Sequence, residues 1–70
     1  NADLTSAYLR DADLTNAWLE NADLTNAYLR DSDLTDADFT SATVTNANFV
    51  GTIWSNTIWT DGIAYNTNQA

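Results

Sequence analysis

Apolar residues recur every fifth position along this chain, at Leu4, Leu9, Leu14, Leu19, Leu24, Leu29, Leu34, Phe39, Val44, Phe49, Trp54, Trp59 and Ala64. Two positions before each stands a small residue, from Ala2, Ala7 and Ala12 through Ser32 to Thr52, Thr57, Gly62 and Thr67. Two positions after each comes Asn, Asp, Ser or Gly, from Ser6 and Asp11 to Gly51, Asn56, Asp61 and Asn66, with Asn1 as the tail of a preceding unit. These four residue types tolerate unusual backbone angles or bond their own backbone, so the chain is expected to bend at every fifth residue.

A period of five excludes both regular elements. At roughly 100° per residue an α-helix would spread the leucines over every face. In a flat strand five is odd, so successive centres would alternate between faces. One corner per repeat resolves the conflict: the small residue and the centre both point inward, and the corner turns the chain so that the next pair does too. Four such corners close a square of twenty residues. Residues 1–20 and 21–40 agree at fourteen of twenty positions, and Tyr8 with Tyr28, Arg10 with Arg30 and Asp11 with Asp31 match beyond the short motif. The predicted architecture is all-β, a solenoid of about three and a half coils at the roughly 4.8 Å strand spacing, hence roughly 17 Å tall. Its core centres are Leu4, Leu9, Leu14, Leu19, Leu24, Leu29, Leu34, Phe39, Val44 and Phe49.

The small, Asp/Asn, Leu/Phe, Thr/Ser, variable pattern of ADLTN, ADFTS and ANFVG resembles the pentapeptide-repeat family over essentially the whole chain. That resemblance implies a right-handed quadrilateral parallel β-helix. It says little about activity, because the motif residues are structural. The family includes DNA mimics that protect or inhibit type II topoisomerases, and many members, abundant in photosynthetic bacteria, without an established role.

We read 1–70 as a single domain, with regular coils over 1–50 and a divergent last coil, cap and exit tail over 51–70. From Thr52 the outward position becomes Ile53, Ile58 and Ile63, the centre becomes Trp54 and Trp59, and Asp61-Gly62 signals a turn. Ile or Trp can point inward there, since both are apolar and the registers differ by one residue. Trp54, Trp59 and Tyr65 are expected to close the end of the column, because solenoids need covered ends. The alternative is that Ile53, Ile58, Trp59 and Ile63 form a sticky end for an end-to-end homodimer. The N-terminal end carries no cap and shares that hazard. The chain opens in mid-repeat without Met, which we read as a domain cut from a longer protein or a processed product.

Composition narrows function. Ten acidic residues against Arg10 and Arg30 give a net charge of −8, which repels nucleic acid and anionic membranes and suits a basic protein surface. No direct nucleic-acid or membrane binding is expected; the expected partner is another protein. The chain has no Cys and no His, which removes thiol chemistry, an imidazole base and the common zinc sites. Ser and Thr lack a base to activate them, and a convex column offers no cleft for paired carboxylates. We therefore expect no enzyme, no cofactor and no metal. The ladders Asp3 over Asp23 and Asp13 over Asp33 are read as hydrated faces, since calcium wants six to eight converging oxygens.

One face differs. Tyr8 and Arg10 point outward beneath Tyr28 and Arg30, either as a ladder of stacked rings with Arg contacts or as a binding patch, and Trp18 with Glu20 on an adjacent face extends it. The expected function is a non-catalytic structural or protein-interaction module. The alternative is an acidic DNA mimic acting on a type II topoisomerase such as DNA gyrase. Length weighs against mimicry, since a rod of roughly 17 Å matches only about five base pairs.

Overall fold

The structure is a computed structural model that describes residues 2–70; Asn1, read above as the tail of a preceding unit, lies outside the described residues. The corner chemistry sets the local geometry. The Ala7 N–H donates to the Leu4 carbonyl at 3.0 Å, and Ala12 to Leu9, Ala17 to Leu14 and Ala22 to Leu19 repeat the bond. Each closes a four-residue turn whose second central residue has positive φ, near 60° at Ser6, Asp11, Asn16, Asn21 and Asn26. Positive φ at that position alone defines a type II turn. A Cβ there crowds the following carbonyl; Gly has none, and short polar side chains can offset the cost by bonding nearby backbone, which explains why Asn, Asp, Ser and Gly hold the position from residue 6 to residue 56. At Gly51, φ is 74° and a Cβ would come within 2.1 Å of Asp31 Oδ1, so a side chain fits only if Asp31 moves.

We expect Asn26→Gly to leave stability nearly unchanged and Asn26→Val to cost about 1–3 kcal/mol, because a β-branched residue is strained at positive φ. Urea titrations of the two variants check this; equal midpoints would refute the strain.

The corners bring residues twenty apart side by side. Parallel bridges join Asp3 to Asp23, Tyr8 to Tyr28, Asp13 to Asp33 and Trp18 to Asp38, then Asp23 to Thr43, Tyr28 to Asn48, Asp33 to Ile53 and Asp38 to Ile58. The centre N–H of one coil donates upward, as Leu4 does to the Asp23 carbonyl at 2.8 Å, while the outward N–H donates downward, as Asp23 does to the Ala2 carbonyl at 2.9 Å. Backbone polar groups of the middle coil are thus paired above and below.

Inside the column Leu24, Leu29, Leu34 and Phe39 are fully buried, flanked by Ala22, Ala27 and Ala37 at the small positions. Leu4, Leu9 and Leu14, on the first coil, are only partly buried. Polar residues at small positions are satisfied rather than stranded: the Ser32 hydroxyl donates to the Leu29 carbonyl at 2.6 Å and the Thr57 hydroxyl to the Leu34 carbonyl at 2.7 Å.

Beyond Gly51 it is tryptophan that turns inward. Trp54 is 6% exposed against 55% for Ile53, and the Trp54 indole N–H donates to Thr52 Oγ1 at 2.7 Å. Trp59 lies 5.2 Å from Phe49, 5.6 Å from Phe39 and 5.0 Å from Trp54, ring centre to ring centre.

The five-residue frame ends there, one repeat earlier than its sequence suggests. Strand β1 (Thr57–Ile58) pairs antiparallel with β2 (Ala64–Tyr65), Thr57 opposite Tyr65 and Ile58 opposite Ala64. Gly62, and not Asp61, takes the positive φ, at 79°, and its N–H donates to the Trp59 carbonyl at 2.9 Å. A turn followed by a left-handed Gly reverses the chain into a hairpin. Ala64 is therefore exposed on β2 and is not a core centre, and Gly62 is a corner and not an inward small residue. The segment after it is tied down by side chains: Asn66 Oδ1 accepts the Asn56 N–H at 2.7 Å, and the Asn68 amide donates to the Phe49 carbonyl at 2.9 Å.

Candidate functional site

Because outward residues twenty apart are bridged, each side of the column stacks a set of side chains. Tyr8, Tyr28 and Asn48 form one such stack, and the corner that follows it stacks Arg10, Arg30 and Val50. Tyr8 is 82% exposed and Tyr28 47%. Their ring centres are 4.9 Å apart with planes at 78°, an edge-to-face contact in place of the stacked rings expected. This geometry sets the positive edge of one ring on the negative face of the other. With Arg10 they line an open depression of about 340 Å³. Arg30 turns instead toward its neighbour, its Nε 3.8 Å from an Asp31 carboxylate oxygen, a loose surface pair.

Trp18 does not join this group. It follows Tyr8 by two corners, beyond the stack of Asp13 and Asp33, and its bridged neighbour is Asp38. Four corners to a coil put it on the opposite side of the column, so the expected extension of the patch through Trp18 is corrected. Its 90% exposure is that of a separate surface feature.

The aspartate ladders have a structural role that the sequence reading missed. Asp3, Asp13, Asp23 and Asp33 each accept, through Oδ1, the N–H of the threonine two residues on, at 3.0–3.1 Å. The Thr25 and Thr35 hydroxyls donate to the same oxygens at 2.6 Å. Asn48 serves the Val50 N–H identically at 2.9 Å, so the turn needs an oxygen and not a charge. The recurring Asp-x-Thr spacing was the available signal. Among the described residues no three acidic side chains converge as a metal site would require.

At Asp13 and Asp23 these bonds favour the charged carboxylate. The Thr15 and Thr25 side chains first, and then their backbone N–H groups, hold Asp13 and Asp23 below the ordinary aspartate range. The Tyr65 hydroxyl, 2.7 Å from Asp61 Oδ2, lowers Asp61 and is itself raised by that bond. A carboxyl with a depressed folded-state pKa stabilises the fold above its unfolded pKa, and that contribution is lost as pH falls through the lowered value. The melting temperature is therefore expected to drop on acidification below about pH 4. In Asp13→Asn/Asp23→Asn, where the oxygen remains and the titration is gone, the drop is expected to be shallower. Identical acid profiles would contradict the assignment.

The chain is similar to known repeat proteins in both sequence and shape. The family model for pentapeptide repeats matches it with 8 copies over residues 1–26 and 19–56. No curated protein is significantly similar to it. Among solved structures it resembles HetL, described as a pentapeptide repeat protein involved in heterocyst differentiation regulation, from the cyanobacterium Nostoc sp. strain PCC 7120. The TM-score is 0.89 at 29% sequence identity, over 91% of this chain and 30% of HetL. The present chain thus spans under a third of that protein's length. The eight matched repeats and the bridges twenty residues apart agree, and the chain belongs to the pentapeptide-repeat family.

Proposed function

We propose that the chain is a non-catalytic protein-interaction module, a right-handed quadrilateral column of about three and a half coils that presents Tyr8, Arg10, Tyr28 and Arg30 to another protein. The observation that carries this reading is the depression beside Tyr8 and Tyr28, where two exposed aromatic rings from successive coils stand in contact with each other and line one surface with Arg10. Exposed Tyr and Arg are the residue types that anchor interfaces. Absence of catalysis is supported by the lack of His and Cys and by buried hydroxyls that are engaged with backbone carbonyls. HetL is described as taking part in regulation, and a regulatory contact is the kind of role we carry over to this chain.

The test is capture of binding proteins on immobilised chain. Tyr28→Ala/Arg30→Ala is expected to lose capture while its circular dichroism and melting temperature stay close to those of the parent. Undiminished capture would move the contact to another face.

Trp54, Trp59 and Tyr65 are proposed as the cap of the column's C-terminal end, supported by ring contacts of the two tryptophans to Phe39 and Phe49 and by the packing of Tyr65 against the core. Light scattering separates this from a dimer through Ile53, Ile58, Trp59 and Ile63: a cap leaves a monomer, and a sticky end gives a salt-insensitive dimer. A second functional reading, the DNA mimic, draws on the net charge of −8 and the stacked aspartates. Inhibition of gyrase supercoiling would favour it.

A further inference from the structure

The side of the column that carries Tyr8 and Tyr28 is bordered on both flanks by carboxylates. The stack before it contains Asp3 and Asp23, and the stack after it contains Asp13 and Asp33. Each of the four has one oxygen tied back to a threonine N–H, so the side chains are held in fixed directions and do not sweep freely through solvent. Between the tyrosines and the second rail lies the corner of Arg10, Asp11, Arg30 and Asp31. Six carboxylates thus surround two guanidinium groups, one of which already has Asp31 beside it. An acidic or phosphorylated partner would meet net negative charge from both flanks. The two rings in the middle offer apolar faces that suit an alkyl stem or a cation lying against them. Arg10, which lines the same depression, is the chain's own instance of a guanidinium placed there.

The strip has a defined end. In the third coil Tyr gives way to half-buried Asn48, and the Arg corner gives way to Val50, which is 58% exposed. Two coils at roughly 4.8 Å each accommodate about three residues of extended chain running along the axis.

We infer that this strip seats an extended, positively charged segment of a partner protein, with Lys or Arg stems on the Tyr8 and Tyr28 rings and their charged heads toward the aspartate rails. The inference rests on the interaction-module reading above and adds the chemistry of the occupant. Charge complementarity brings the segment to this side, and the rings select where along it the segment settles.

The experiment is an NMR titration of isotope-labelled chain with three short peptides of equal length, alternating Val with Arg, Gln or Glu, at about 0.15 M salt, where exposed charges further apart than roughly 8 Å are screened. The Arg peptide is expected to shift the amide signals of Tyr8, Arg10 and Tyr28 in a saturable way, with little change at Trp18 on the opposite side. Tyr8→Ala/Tyr28→Ala is expected to abolish saturation. Converting Asp3, Asp13, Asp23 and Asp33 to Asn, which keeps the oxygen each turn needs, is expected to weaken binding about tenfold. Shifts spread evenly over every acidic face would overturn the inference in favour of unspecific charge attraction. Saturable binding of the Gln or Glu peptide with equal affinity would overturn the positive occupant while leaving the face as a protein contact. No shift at Tyr8 or Tyr28 with any peptide would remove both.

Discussion

Leu24→Asp is expected to abolish folding. Leu24 is fully buried in the middle coil, its N–H bonded to the Thr43 carbonyl at 2.8 Å and its carbonyl to the Ala27 N–H at 2.9 Å. The side chain looks into a column lined by Leu29, Leu34, Phe39 and alanines, with no basic residue to neutralise a charge. The substitution forfeits about 1.5–3 kcal/mol of leucine burial and adds several kcal/mol for an unpaired buried carboxylate or its forced protonation. A chain of this size has about 4–10 kcal/mol in all, so the sum removes most or all of it. Because each coil rests on its neighbours, loss of the middle one leaves the first coil without its partner strands. Leu24→Ala is expected to fold with a loss of about 2–5 kcal/mol, and Thr25→Ala, at a half-buried position outside the column, to lower the melting temperature only slightly. A folded Leu24→Asp by circular dichroism would mean that the side chain escapes the column.

Phe39→Ala is the second large effect, expected at about 3–5 kcal/mol. Phe39 is fully buried and stands where the aliphatic part of the core gives way to rings, 5.9 Å from Phe49 and 5.6 Å from Trp59. Removing it opens a cavity beneath Trp59 and breaks two aromatic contacts worth about 0.5–1.5 kcal/mol each beyond the area they bury. Trp59, with Trp54 and Phe49 left on its other sides, is expected to loosen, and tryptophan emission should shift to longer wavelength before the main unfolding transition. Phe39→Leu, which keeps most of the volume, should cost under about 1.5 kcal/mol, since Leu19 fills this position in the coil before it. A loss in Phe39→Ala as small as that of Phe39→Leu would show that the neighbouring rings close the gap.

Much of this molecule is written locally. The residues at positions such as Ser6, Asn16 and Asn26 tolerate positive φ, and that tolerance belongs to the single residue, so the corners were readable one at a time. Once corners recur every five residues, the inward direction of Leu24 or Ala27 follows from chain geometry, as does the pairing of Tyr8 with Tyr28 one coil apart. The aspartates were read only as charge; the Asp-x-Thr spacing was visible, but its meaning depends on which way the Asp side chain leans at the corner.

Tertiary structure decided what depends on contacts between residues that no local rule connects. Ile53 and Trp54 are both apolar, and only the space beside Phe49 and the Thr52 hydroxyl selects Trp54 for the interior. Asp61-Gly62 fits either one more corner or a hairpin, and the outcome depends on whether Ala64 and Tyr65 find strand partners, which they do at Ile58 and Thr57. Trp18 is ten residues from Tyr8 and from Tyr28 alike, and counting residues does not separate a neighbouring side from the opposite one until the corners are placed in order around the column. The five-residue period with its turn-forming residues determined that this chain coils and which residues line it as far as Gly51; the end of the coil and the grouping of its surface residues were set by packing across the turns, where energies depend on distance in space and not along the chain.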